Sequence, residues 1–440
     1  MKLQILPLLS VVLAGCQTAD GYAIQERPRD AGGDRGTPED GAVSSDAGAR
    51  PQLAVTGAQL LVSGPALGLQ LTPANVVEDA DVVAIHQEFY GIPWAAFEAR
   101  SAPPPEWVQR MDQLAALGRD QHKPVFLSIS PLNGTRERLA ATTRIENGSV
   151  ETDDATSAPC YDFRTAADGA AKRAAYLGYV DYMVEKFDPA YLTVAIEVNL
   201  FFEKCPSATA GVIDVINAAY AAVKAKRASR VVFPSFQIDH LYGYSEDSCP
   251  DPSNRAACFD AQYAVLEGIE RDRFAISSYP FLNGVSSPDD LPADWFVRAA
   301  QRRDERVVIA ETGWLSTPLV AKSSTGSCAP VFAYGTAHSA GYLRRVLSDA
   351  STLGIELVTW WSDRDLVVTE FMDNCPCNIG AAWCGVLDVF RGPPPTGPVD
   401  TQFFGEVLLK AFGSMGLRRY DGTPKPELMT LWNAARSTRP

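Results

Sequence analysis

A chain of 440 residues, 46% hydrophobic and 21% charged, has the make-up of a globular protein and can bury one large core or two ordinary ones. Its formal net charge of −14 argues against nucleic acid and against electrostatic docking on anionic lipid, because no basic patch is at hand to meet phosphates. A neutral polymer such as a polysaccharide is compatible with that charge.

The first residues read as an export signal. Lys2 precedes an apolar run over 3–13, broken by Pro7, that is too short to span a bilayer. The run ends Leu13-Ala14-Gly15-Cys16, which resembles the bacterial lipobox. The resemblance implies cleavage before Cys16 and lipidation of its thiol and new amino group. An ordinary signal peptide with a chance cysteine is the alternative. Gln17 is not Asp, so an outer-membrane or cell-surface location is expected, with the Cys16 lipid as the membrane contact. Residues 17–50 hold many Gly, Ala, Asp, Arg, Pro and Ser and few large apolar side chains, which suits a flexible tether. The expected organisation is a signal peptide at 1–15, a lipidated tether at 16–50 and a folded domain at 51–440.

Within that domain, short apolar β-branched runs alternate with longer amphipathic stretches. Strands are expected at 67–71, 81–86, 124–130, 191–198, 230–236, 274–279, 306–311 and 356–361. Helices are expected at 105–120, 167–187, 208–227, 263–271, 292–303, 336–353, 402–412 and 426–434, with a short one near 73–80. Several strands are apolar at consecutive positions, as parallel strands covered on both faces are. Eight such units predict an α/β fold, a single (β/α)8 TIM barrel. A doubly wound open sheet is the alternative, but no Gly-rich nucleotide loop follows the first strand. The long segments 131–165, 241–262, 315–334 and 362–401 then lie at the C-terminal face, where barrel chemistry sits.

Nine cysteines minus Cys16 leave eight, an even set that suggests disulfides in an exported chain. Cys249 with Cys258 and Cys160 with Cys205 are the expected pairs. Cys328, Cys375, Cys377 and Cys384 stay unassigned, and a zinc site at the last three is the competing reading. An Asp-rich loop at Asp363 and Asp365 raises calcium as a further alternative, without the spacing of a known calcium loop. No cofactor or metal is otherwise implied.

The segment Val307-Val308-Ile309-Ala310-Glu311-Thr312-Gly313-Trp314 places a carboxylate at the end of a buried strand, ahead of a turn and an aromatic. Glu311-Thr312-Gly313-Trp314 resembles the seventh-strand nucleophile motif of clan A glycoside hydrolases, closest to the endo-β-1,4-galactanase and β-1,3-glucanase families. Ser278-Tyr279-Pro280-Phe281 is similar to the sixth-strand motif of the galactanase-like families, whose Tyr hydrogen-bonds the nucleophile. Thr359-Trp360-Trp361 resembles the eighth-strand sugar platform, and Gly416-Leu417 with Asp421 to Pro426 resembles the common ending of these enzymes. The likeness runs from about residue 190 to 435. It implies a retaining hydrolase of β-linked polysaccharide or oligosaccharide, with Glu311 as nucleophile.

One departure concerns the acid. Clan A members end strand four with Asn-Glu, whereas this chain reads Ala195-Ile196-Glu197-Val198-Asn199-Leu200. If Asn199 matches the family Asn, the acid position is Leu200. Strand alternation puts Glu197 and Asn199 on one face, so Glu197 is expected to enter the barrel as the acid/base. Glu203 is a second acid candidate. Sugar contacts are expected from Asn199, Tyr279, Trp314, Trp360, Trp361, His86 and Gln237, with Asp239 and the segment His86 to Tyr90 at the same rim. The rival function is a surface lipoprotein that binds glycans without cleaving them, having lost the acid. A monomer is expected.

Overall fold

The computed structural model describes residues 50–56, 78–153, 157–244, 249, 251, 253–283, 285–301, 305–322, 328–332, 335–366 and 410–437. Eight parallel strands form a ring: β1 Gln52–Thr56, β2 Val82–His86, β3 Val125–Ser128, β4 Tyr191–Thr193, β5, β6 Phe274–Ser278, β7 Val307–Thr312 and β8 Leu357–Trp361. Strand β5 has two halves, Val231–Phe233 paired with β4 and Ser235–Gln237 paired with β6. Pro234 between them has no N–H to donate, which is why the strand breaks there. Across the break, Val194 N–H donates to Phe233 O (3.0 Å) and Ser235 N–H to Ala195 O (2.8 Å). β1 pairs with both β8 and β2, and so closes the ring.

Seven strands fall where the sequence places them, within a few residues. The first does not. The place between β8 and β2 is taken by Gln52–Thr56, while the expected strand at 67–71 lies outside the described residues. A five-residue run, Gln-Leu-Ala-Val-Thr, gives too little pattern to separate a strand from the end of a tether. Strand four is also shorter than expected, ending at Thr193 rather than 198.

Alternation along the strands sorts the core into two parts. Ala54, Ala84, Phe126, Phe233, Ala275 and Val308 fill the barrel interior. Leu53, Val83, Ile85, Leu127, Ile276 and Val358, one residue out of phase, pack against the helices. At the N-terminal end of the ring, Glu356 accepts from Tyr191 Oη (3.0 Å) and Arg273 Nε (2.6 Å). Toward the C-terminal end the inward positions become His86, Ser128, Ser277 and Tyr279, a polar layer above an apolar plug.

The helices Pro105–Arg119, Gly169–Phe187, Thr209–Lys226, Thr336–Leu353 and Pro426–Ser437 match expectation closely. The helix expected at 263–271 is instead Arg255–Val265, and that expected at 292–303 is reduced to Val297–Ala300. That expected at 402–412 lies mostly outside the described residues. Two hairpins, Thr142–Glu146 with Ser149–Asp153 and Leu319–Lys322 with Cys328–Phe332, occupy segments read only as long loops. Among the described residues no helix is long and apolar enough to cross a membrane.

Both expected disulfides are present, Cys160–Cys205 and Cys249–Cys258; Cys375, Cys377 and Cys384 lie outside the described residues. Cys160–Cys205 spans 45 residues of sequence. Replacing both cysteines with Ser is expected to lower unfolding free energy by about 2–4 kcal/mol. Urea denaturation of the double variant checks this.

Candidate active site

Glu311 stands at the C-terminal end of β7, but plain alternation would not aim it at the lumen. Val308 and Ala310 face inward and Ile309 outward, so the next outward position is 311. The pairing with β6 resolves this. Ile309 faces Ile276 and Glu311 faces Ser277, leaving Ala310 as a surplus residue. The register with β8 shifts between Ile309 and Thr312 as well. Such a bulge re-aims the following side chain. Glu311 accordingly accepts a hydrogen bond from Tyr279 Oη (3.2 Å) and lies 3.6 Å from His86 Nδ1 across the mouth. Thr312 turns outward, where its hydroxyl meets Ser278 O and Tyr342 Oη at 2.8 Å each.

Glu197 reaches the same place by a different local structure from the one expected. It is no strand residue. It adopts a left-handed conformation (φ 47°, ψ 42°) at the start of the helix Val198–Lys204, and Asn199 lies in that helix's first turn. Its N–H donates to Ser235 Oγ (3.0 Å), and its Oε1 accepts from Ser277 Oγ (2.6 Å). Ser277 is the register partner of Glu311, so the two carboxylates flank one serine of β6. Arg136, from the loop after β3, lies 3.6 Å from Glu197 and donates to Glu88 at 2.9 Å.

Charge in this pocket is crowded. Burial, then the negative charges of Glu197 and Glu88, push the Glu311 carboxyl well above the usual carboxylate range; Arg136 and the Tyr279 hydroxyl pull the other way. Burial drives His86 down to about 4, so it stands neutral beside Glu311. Asp239 follows β5, is fully buried, accepts from Tyr279 N–H (3.2 Å) and is raised to about 7 by burial.

The other expected contacts separate into two groups. His86, Tyr279 and Trp361 face the pocket; Trp361 packs edge-on against His86 with centroids 5.6 Å apart. Trp360, one residue out of phase, is fully buried with its Nε1 donating to Met415 O (2.9 Å), so it is a core residue and not a sugar platform. Trp314 is likewise core, packed on Phe281 and Tyr342. Asn199 does not offer its amide to the mouth. It donates to Gln237 O (3.1 Å) and accepts from Gln237 N–H (2.8 Å), clamping the end of β5. Asn199→Ala is therefore expected to cost roughly 2 kcal/mol or more through orphaned backbone groups. A sugar contact would instead leave stability unchanged and raise KM, so chemical denaturation beside kinetics separates the two. The Gln237 side chain is buried with its Oε1 unpartnered among the described residues. Glu203 is tied to His240 Nδ1 at 2.6 Å, and the acids acting on Glu311 are Glu197 and Glu88. The cation at Asp365 is Lys425, whose Nζ lies 2.7 Å from it, which displaces the calcium alternative. Among the described residues no His, Cys, Asp and Glu cluster has metal-site geometry.

Arg136, Glu88 and Ser277 complete the pocket without having been singled out from the sequence. Glu88 belongs to the rim segment after β2. Arg136 follows an Asn-Gly turn and reads like any solvated loop arginine.

No family model and no curated protein matches the chain. Solved structures do resemble its fold. An exo-beta-1,4-mannosidase from Opitutaceae bacterium strain TAV5 is 14% identical with a TM-score of 0.52, over 92% of this chain and 62% of that one. GH5_18 from Streptomyces cattleya, in complex with GlcNAc, is 14% identical with a TM-score of 0.51, over 90% and 82%. A GH5_18 protein from Bifidobacterium longum subsp. longum, in complex with Manb1-4GlcNAc, is 15% identical with a TM-score of 0.50, over 89% and 80%. At such identities the likeness establishes the barrel.

Proposed function

We propose that the protein is a retaining glycoside hydrolase acting on a β-linked oligosaccharide or polysaccharide. The observation that carries this is the meeting of Glu197 and Glu311 on either side of Ser277, at the C-terminal end of the barrel strands. Glu311, hydrogen-bonded by Tyr279, is the nucleophile, and Glu197 is the acid/base. In the first step a Glu311 oxygen bonds to the anomeric carbon. The glycosidic C–O bond breaks with its electron pair going to the leaving oxygen, which takes the proton of Glu197. In the second step water attacks that carbon, gives its proton to Glu197, and the Glu311 ester is released. Trp361 offers an apolar face for the C–H side of a pyranose. The barrel's likeness to an exo-beta-1,4-mannosidase and to a GH5_18 structure holding Manb1-4GlcNAc supports a β-mannoside as the first substrate to try. The resemblance of Leu13-Ala14-Gly15-Cys16 to a lipobox supports export and a lipid-anchored place at the cell surface.

The test is turnover of β-mannosides, β-glucosides, β-galactans and aryl glycosides, with the product anomer followed by NMR. Hydrolysis with retention supports the reading. Inversion, or no hydrolysis of any substrate, defeats it. Leu200, buried where the resemblance puts the acid, favours the second reading of a glycan-binding protein. Affinity electrophoresis showing binding without turnover selects it.

A further inference from the structure

We propose that Arg136 is a positioning residue for the carboxylate pair, a buried counter-charge that lets Glu88, Glu197 and Glu311 share one pocket and sets the pH at which the site becomes active. The inference rests on the hydrolase reading for its kinetic readout and on geometry for its substance.

Arg136 is nearly inaccessible, at 1% exposure. An arginine carries its charge into the interior at a high cost unless anions meet it there. Here two do: its guanidinium donates to Glu88 (2.9 Å) and stands 3.6 Å from Glu197. The charges of Glu88, Glu197 and Glu311 in turn hold the Arg136 proton more firmly than usual, against the opposing effect of burial. The groups facing Glu311 come from four strand ends: His86 on β2 with Glu88 after it, Arg136 after β3, Glu197 after β4, and Tyr279 on β6. Asp239, after β5, stands behind Tyr279. His86 is neutral, which leaves Arg136 as the cation among them in the described residues.

The backbone is built to hold it there. Arg136 and Glu197 both adopt left-handed conformations, at φ 56° and 47°. Each costs on the order of 1 kcal/mol for a residue with a Cβ, and such geometry persists where the surroundings enforce it. Arg136 donates twice to Asn133 O, from its backbone N–H (2.9 Å) and from its guanidinium (2.8 Å). Asn133 Oδ1 accepts from the N–H groups of Glu137 and Arg138 (3.1 Å each). The loop is then fastened to the far end of the helix that Glu197 begins. Lys204 Nζ donates to Thr135 O (2.7 Å) and pairs with Glu137 (3.1 Å). Cys160 donates its N–H to Glu137 O (2.7 Å) and is bonded to Cys205. The arginine and the acid it faces therefore belong to one fastened unit.

The sign follows from the charges. Removing the cation leaves Glu311 with two anions and less to offset them, so Glu311 loses its proton at higher pH. Removing Glu88 does the reverse. In Arg136→Met the acid limb of kcat/KM is expected to move up by roughly 1 pH unit or more, the scale of losing a nearby opposite charge. Arg136→Lys keeps the charge and should keep the limb. Glu88→Gln should move it down, and carries the test if Arg136→Met does not fold. A purely structural arginine would lower activity and leave the limb in place, which overturns the proposal. If wild type turns over no substrate, the hydrolase reading fails by itself. Carboxyl-¹³C NMR titration of Glu311, assigned with Glu311→Gln, then reads the same shifts without catalysis. An upward shift in Arg136→Met supports the proposal, and an unmoved resonance overturns it.

Discussion

Glu311→Gln is expected to abolish turnover and, at neutral pH and above, to make the fold more stable. Losing a covalent nucleophile costs on the order of 10⁴-fold or more in kcat. The amide keeps the shape of the side chain and can still accept from Tyr279. The stability gain follows from the direction of the shift. The folded-state pKa of Glu311 is raised by burial and by Glu197 and Glu88. The folded protein thus holds that proton over a pH range in which the unfolded chain has lost it. Stability from Glu311 is complete below the ordinary glutamate pKa and is lost as pH rises through the folded value. The amide has no proton to lose. The Tm difference between variant and wild type should therefore widen in favour of the variant as pH climbs from about 4.5 toward 8, the former being the ordinary glutamate range. Calorimetry at four pH values, beside an assay at the optimum, checks both halves. A variant that loses activity and stability together at high pH would show instead that Glu311 is a buried structural anion.

Glu197→Gln is expected to lower kcat/KM on oligosaccharides by roughly 10²- to 10⁴-fold, the range for loss of a general acid. The loss should depend on the leaving group. A dinitrophenolate departs without a proton, so bond cleavage on dinitrophenyl glycosides should be nearly intact, and only the water step should slow. An alkoxide cannot leave that way, and natural substrates should suffer the full loss. A burst of dinitrophenolate followed by a slow steady state is the signature. Glu203→Gln should show neither effect, since that carboxylate is tied to His240. If the leaving-group dependence followed Glu203 instead, the acid assignment would pass to the loop residue.

The ring of strands was readable because seven of them are apolar runs separated by long amphipathic helices, and periodicity survives errors of a residue or two. β1 was not, because five residues hold too little pattern. The site was readable in part. Glu311 and Tyr279 carry motifs that name them, and the structure joins them at 3.2 Å. Glu197 reached the pocket for a reason the sequence concealed. Alternation along a continued strand would have oriented it, whereas a left-handed turn does so, and that turn depends on Ser235 and Ser277 from other strands. Parity could have separated the tryptophans. Leu357 faces the lumen, so Trp361 shares its phase and Trp360 does not. Arg136 was beyond reach, since its burial comes from loop contacts to a distant helix that no local pattern encodes.

Ala310 has an importance out of keeping with its size. As the surplus residue of β7 it reverses which side every later side chain of that strand presents. Were this one alanine taken into plain register with β6, the apolar pattern of the strand would be untouched and the barrel free to close. That regular pairing would exchange the headings of Glu311 and Thr312, turning an acid toward the helices and a hydroxyl toward the cleft, whereas deleting Ala310 would keep both. The difference between a reactive scaffold and an inert one of the same shape thus hangs on the register of a single strand, not on the chemistry of its residues.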